Sequence, residues 1–277
     1  MKNPIKKVAA INDLSGYGRA ALTTIISILS NMGVQVCPFP TAILSTHGGF
    51  ESPSFVDLTD SMRGYMEHWK NQDIEFDCIY TGFLGSARQA DIILDFIKDF
   101  KTISNMVVVD PVMGDSGKLY SVIDDCMIDK MKDLVKGADI ITPNITEVMY
   151  LLGRKYTETT SEEEIKSMMI DLCSLGPKIV IITSVKDTNS PENINVHAYD
   201  KEKNEFYKIS NERILVDFPG TGDTFTSVLI GNILSGDDLY KAIEKSVEFV
   251  SNSIKESIEY SYPRKEGILL EKMLKNL

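Results

Sequence analysis

The sequence predicts a single α/β domain whose mainly parallel sheet is covered by helices on both faces. Three observations predict it. Short, buried-looking apolar runs alternate with amphipathic helical runs, glycine and proline mark the turns between them, and polar residues gather where the apolar runs end. The 277 residues, 43% of them apolar, suffice for a sizeable core, and no Pro/Ser linker, repeat or low-complexity stretch divides them.

Residues 6–11, K-K-V-A-A-I, form the first strand, and residues 20–32, A-A-L-T-T-I-I-S-I-L-S-N-M, a helix stopped by Gly33. An extended run begins at V-Q-V-C-P, 34–38. D-C-I-Y-T-G, 77–82, is a short strand, followed by an amphipathic helix over 86–100 with Ser86 as its N-cap. M-V-V-V-D-P, 106–111, is a buried strand ending on an acid and a proline, and D-I-I-T-P-N, 139–144, ends another. Ser161 and Glu164 make a capping box that opens the next helix. K-I-V-I-I-T-S-V, 178–185, is again a strand. N-V-H-A-Y-D and E-F-Y-K-I-S, 195–200 and 205–210, alternate around a K-E-K-N turn as an antiparallel hairpin. The last quarter is mostly helical. Ligands of such folds bind beyond the carboxyl ends of strands, and Asp13, Gly82, Asp110 and Asn144 all fall there: Asp13 just after strand one.

Composition narrows the function classes. A net charge of -11 disfavours a nucleic acid or an anionic membrane as partner. An anionic small molecule stays admissible, because backbone amides and a metal reverse the field locally. No stretch approaches the ~20 unbroken apolar residues of a membrane span, and the N-terminus M-K-N-P-I-K-K-V does not read as a secretory signal. Cys37, Cys78, Cys126 and Cys173 stand far apart with no C-x-x-C pair, the pattern of reduced thiols in a cytoplasmic protein.

Three stretches carry candidate chemistry. P-G-T-G-D, 219–223, sends Asp223 into a helix-like run behind Gly220, Thr221 and Gly222. The glycines let the backbone approach a ligand, and amides at a helix start stabilise a transferring phosphoryl group. Asp223 could then deprotonate an attacking alcohol, or it could simply cap the helix. V-V-V-D-P-V-M-G-D-S-G-K, 107–118, offers Asp110 at a strand end, then Asp115 and Lys118 in a glycine-punctuated segment able to fold over phosphates; the same residues also suit an ordinary strand end and loop. In I-I-T-P-N-I-T-E, Glu147 three residues after Asn144 fits both water-mediated magnesium binding and a plain capping box. His68 and His197 read as structural; His47, in S-T-H-G-G-F, sits in a flap-like loop.

Taken in order, T-G-F-L-G-S-A, V-D-P-V-M-G-D, D-I-I-T-P-N-x-x-E, V-I-I-T-S and P-G-T-G-D resemble the pyridoxal (vitamin B6) kinases of the ribokinase superfamily, over residues 7–255, and more distantly the hydroxymethylpyrimidine kinases. The resemblance implies a ribokinase-like three-layer α/β/α fold and an ATP-dependent kinase of pyridoxal, pyridoxine or pyridoxamine, working as a cytoplasmic homodimer. It implies magnesium with ATP and admits a monovalent cation. Asp223 matches the catalytic base, with Gly220, Thr221 and Gly222 as anion hole. Asp110 and Glu147 match residues around magnesium and the phosphates, with Asn144 beside them and Thr183 and Ser184 at the nucleotide. In the vitamer pocket His47 matches a histidine near the pyridoxal ring, Ser45 and Thr46 match its flap neighbours, Phe83 stands where the family often has Tyr, and Asp13 lies on the N-terminal side. One departure stands out. Asp13 occupies a position where many pyridoxal kinases have serine, and an aspartate followed by S-G is closer to the pyrimidine kinases. The pyrimidine kinase therefore remains the alternative, and a non-catalytic pyridoxal-binding module a second.

Overall fold

The computed structural model describes residues 4–157, 160–186 and 190–277, which fall into two compact units. In chain order the elements are β1 (Lys7–Tyr17), α1 (Ala21–Asn31), β2 (Gln35–Thr46), β3 (Phe55–Asp57), α2 (Thr59–Asn71) and β4 (Cys78–Thr81). Then come α3 (Ala87–Phe100), β5 (Met106–Val109), β6 (Gly114–Asp115), β7 (Lys118–Leu119), α4 (Asp125–Gly137), β8 (Ile140–Ile141), α5 (Ile145–Leu151) and α6 (Glu162–Leu175). The rest is β9 (Ile179–Lys186), β10 (Asn193–Asp200), β11 (Glu205–Glu212), α7 (Thr221–Ser235), α8 (Leu239–Ile258) and α9 (Leu270–Met273), with short 3-10 turns at Arg264–Glu266 and Leu274–Asn276.

The first unit joins residues 1–79 to 214–277. Val8, Ala9, Ala10 and Ile11 of β1 are fully buried, as a strand covered on both faces requires. β1 pairs in parallel with β2, and β2 pairs antiparallel with β3. Ile28 of α1, Phe218, Val228 of α7, Phe249 of α8 and the C-terminal Ile268, Leu270 and Met273 form one apolar cluster. The C-terminal stretch is thereby anchored in the core.

The second unit spans residues 80–213. β5, β8 and β9 are parallel neighbours, and β9, β10 and β11 continue antiparallel, so the expected hairpin is present. Val107, Val108 and Val109 have no exposed surface. Ser86 caps α3, and Ser161 with Glu164 makes a full capping box on α6, as their spacing predicts.

Candidate active site

In the first unit the site begins where β1 turns polar. Asn12 faces Pro40 and Leu14 faces Ile43, so the β1–β2 register slips at Asp13. Such an irregularity re-aims a side chain. The sequence predicts that Asp13 follows the strand; instead β1 runs on to Tyr17, because β2 lies alongside it, and Asp13 sits inside it, 8% exposed. Its Oδ2 accepts the Ser15 hydroxyl at 2.9 Å, and its own N–H donates to Asn12 Oδ1 at 2.9 Å. Burial raises the Asp13 carboxyl above its ordinary value, and the Ser15 bond draws it part of the way back.

Asp223 stands on the first turn of α7. The helix starts from Gly220, left-handed at φ 80°, where a Cβ would lie 2.1 Å from the Arg19 carbonyl oxygen; only glycine fits both demands. No side chain caps this end, so Asp223 is not a helix cap. Instead its Oδ2 accepts the Ala21 N–H at 2.8 Å, and its Oδ1 accepts Asn12 Nδ2–H at 3.3 Å. Ala21 has φ 54°, a left-handed conformation uncommon for a residue with a Cβ. Strain of this kind gathers at functional sites, and here it aims an N–H at a carboxylate. Burial pushes the Asp223 carboxyl up to about 6; the Ala21 bond opposes this, the Asp13 charge adds to it, and the Asn12 bond again opposes. At neutral pH Asp223 is therefore an ionised carboxylate with raised basicity. The opening amides of α7, at Thr221, Gly222 and Asp223, belong to the helix turn whose N–H groups have no intrahelical acceptor and so are available to an anion.

Ser45 and Thr46 close β2, and mutual bonds between Ser45 and Ser54 tie the base of the following loop. His47 begins that loop and is buried, with Nε2 2.6 Å from the Lys265 carbonyl oxygen and Nδ1 accepting the Gly49 N–H at 3.1 Å.

In the second unit Asp110 follows β5 and is buried, its N–H donating to the Thr81 carbonyl at 2.9 Å. Glu147 and Asn144 form the anticipated capping box at α5. They also do more than cap. Glu147 Oε1 accepts the Met113 N–H at 3.1 Å, and Asn144 Nδ2 donates to the Gly114 carbonyl at 2.9 Å, clamping the chain that follows Asp110. Burial and then the charge of Asp110 hold the Glu147 carboxyl well above the usual glutamate range. Two such carboxyls favour a shared proton or cation. Because both Glu147 oxygens already accept backbone N–H groups, the pair fits a magnesium ion that keeps several waters. No group of three or more His, Cys, Asp or Glu side chains able to hold a metal occurs among the described residues.

Thr183, midway along β9, bridges to Asn144. Ser184 is exposed at φ 58°, opposite a register shift in β10. Asp115 and Lys118 face each other across the β6–β7 hairpin and point outward, and Phe83 is half-buried just past β4. The structure thus gathers Asp13 with Asp223 in one unit, and Asp110, Asn144, Glu147 and Thr183 in the other. Sequence reasoning missed Asn12, whose position as a polar residue closing an apolar run was a usable signal, and the Ala21 N–H, which has none.

Residues 66–266 match the phosphomethylpyrimidine kinase family model. A Bacteroides thetaiotaomicron protein carrying that name provisionally is 46% identical, with TM-score 0.96 over 100% of this chain and 95% of its own. The same protein was also solved with pyridoxal, at TM-score 0.95. The pyridoxal kinase of Lactobacillus plantarum is 27% identical, with TM-score 0.89 over 99% of this chain and 96% of its own. The pyridoxal kinase of Arabidopsis thaliana is 29% identical over 91% of this chain and 82% of the relative.

Proposed function

Because the chain belongs to the phosphomethylpyrimidine kinase family, with the ribokinase-like α/β fold of the pyridoxal kinases, we propose that it moves the γ-phosphoryl group of ATP to the 5'-hydroxymethyl group of pyridoxal, pyridoxine or pyridoxamine. The observation that carries this reading is the Asp223 carboxylate, buried, raised to about 6 and held by Ala21 and Asn12 beside the helix-start amides of α7. The hydroxyl oxygen attacks the γ-phosphorus, its proton passes to Asp223, and the bond to the bridging oxygen breaks to release ADP. Amides of Thr221, Gly222 and Asp223 stabilise charge on the transferring group. Asp13, Ser45, Thr46, His47 and Phe83 serve the vitamer. Asp110, Asn144, Glu147, Thr183 and Ser184 serve the nucleotide, with Asp115 and Lys118 over its phosphates. Asp110 and Glu147 would hold magnesium through water, and the ion would there neutralise phosphate charge. In this reading the two units act as one kinase domain.

Pyridoxal is favoured as substrate by the 46% identical relative solved with it. Asp13 and the family name keep hydroxymethylpyrimidine in view. Incubation with Mg-ATP and an equimolar mixture of the three vitamers and hydroxymethylpyrimidine, read by mass spectrometry, should yield B6 phosphates first. Pyrimidine phosphate in the lead would reassign the substrate, and no phosphorylated product from folded protein would retire the kinase. Assays with and without potassium decide the monovalent cation.

We also take the protein to be a cytoplasmic homodimer. Its four cysteines are in no disulfide, no helix among the described residues is long and apolar enough to cross a membrane, and exposed Ile43, Phe55, Val56 and Tyr65 give β2, β3 and α2 apolar surface for a second copy. Light scattering on the purified protein should give twice the 30.9 kDa chain mass.

A further inference from the structure

The ring of His47 has both nitrogens committed inside the protein. A backbone N–H can only donate, so the Gly49 N–H at 3.1 Å makes Nδ1 the acceptor. The proton must then sit on Nε2, which donates to the Lys265 carbonyl at 2.6 Å. The neighbourhood is shaped for this ring. A Cβ on Gly18 would fall 2.6 Å from His47 Cδ2, and one on Gly49 would fall 2.8 Å from Cε1, so two glycine backbones close on its two edges. Phe50 packs edge-on at 5.0 Å between centroids, and Lys265 Nζ lies 4.6 Å from the centre of the Phe50 ring.

The turn that receives His47 is itself tied to the segment that serves Asp223. The Arg19 N–H donates to the Glu266 carbonyl at 2.9 Å, Arg19 Nε meets Glu271 at 2.8 Å, and the Tyr17 hydroxyl bonds the Glu266 carboxylate. Two residues beyond Arg19, the Ala21 N–H holds Asp223.

We infer that His47 is a positioning residue: its Nε2–H tautomer latches the loop 47–50 to the C-terminal turn Arg264–Glu266, and so fixes the vitamer-side wall without lending a ring nitrogen to the vitamer. The inference deepens the proposed kinase reading, but the latch itself exists in the free protein and is tested there first. His47→Gln keeps a donor near the Nε2 position; His47→Ala removes both bonds. Hydrogen exchange on ligand-free protein should quicken about tenfold at both 48–50 and 264–267 in His47→Ala, the size expected for two lost hydrogen bonds, and stay near wild type in His47→Gln. Exchange that quickens in the loop alone, or equally in both variants, overturns the latch. Histidine nitrogen NMR on the wild-type protein should find Nε2 protonated and Nδ1 bare, before and after pyridoxal is added; a proton that changes nitrogen on binding would mean that the ring contacts the vitamer. With active enzyme, His47→Ala should raise vitamer KM about tenfold, equally for all three vitamers, at nearly constant kcat and ATP KM, and His47→Gln should restore it. A loss confined to one vitamer overturns the inference. Should no vitamer be phosphorylated at all, the kinase reading fails while the exchange and NMR results still decide the latch.

Discussion

Asp223 holds a charge that its surroundings resist, and that tension sets two measurable properties. Its folded pKa of about 6 lies above the ordinary 3.8, so the base form is lost as pH falls through 6. The rate constant kcat/KM should show an acid limb near pH 6. Asp13→Asn removes a neighbouring charge that raises Asp223, and should move that limb to lower pH; an unmoved limb would separate the two carboxyls electrostatically. The same shift costs stability. A raised carboxyl favours the folded state below pH 4, and the advantage is lost as pH climbs through 6, by on the order of a few kcal/mol. Asp223→Asn should therefore raise Tm at neutral pH while lowering kcat by roughly 100-fold or more, with ATP still bound. A variant that is both inactive and less stable would point to a structural role instead.

Among the elements, turns and short helices do most to position the chemistry. Gly220→Ala meets a left-handed φ and the Arg19 carbonyl at 2.1 Å together, a cost of about 2–5 kcal/mol by urea unfolding, with activity lost. Asn144→Ala deletes an N-cap worth about 1 kcal/mol and frees the Gly114 carbonyl. It should raise ATP KM and leave vitamer KM alone; equal changes in both would deny Asn144 its nucleotide side. Most elements were legible because apolar runs and capping residues announce them locally, as at β5, α3 and α6. The outer half of β1 was not, since N-D-L-S-G lacks strand character and is extended only because β2 lies alongside. β2 itself runs through Pro38 and Pro40, residues that usually argue against a strand. They are tolerated because β3 pairs only with Ala42, Ile43 and Leu44, leaving that edge open at the prolines. Asp110, Asn144, Glu147 and Asp223 could be named from their turns. The partners of Asp223 could not, because an alanine at positive φ leaves no mark on a sequence.

Over the whole molecule a net charge of -11 opposes ATP, so in the proposed kinase binding would rest on local amides and a cation rather than on long-range attraction. ATP KM should stay flat or fall as ionic strength rises, opposite to the trend of a basic cleft. Chelation of divalent ions should abolish turnover without unfolding the protein, checked by circular dichroism alongside the assay. The first unit is also discontinuous: Ile28 of α1 packs with α7, α8 and the stretch through Met273, and Asn12 of β1 bonds Asp223 of α7, while residues 80–213 form the other unit without interruption. During synthesis, β1, whose residues Val8, Ala9, Ala10 and Ile11 are all apolar, emerges early, and its α7 partner is made some two hundred residues later. The uninterrupted unit has all its own chain in hand sooner. The nascent chain thus passes through a stage at which residues 80–213 are complete while Asp223 has yet to leave the ribosome, and a chaperone that shields the β1 segment should raise the yield of active protein more than one acting after release.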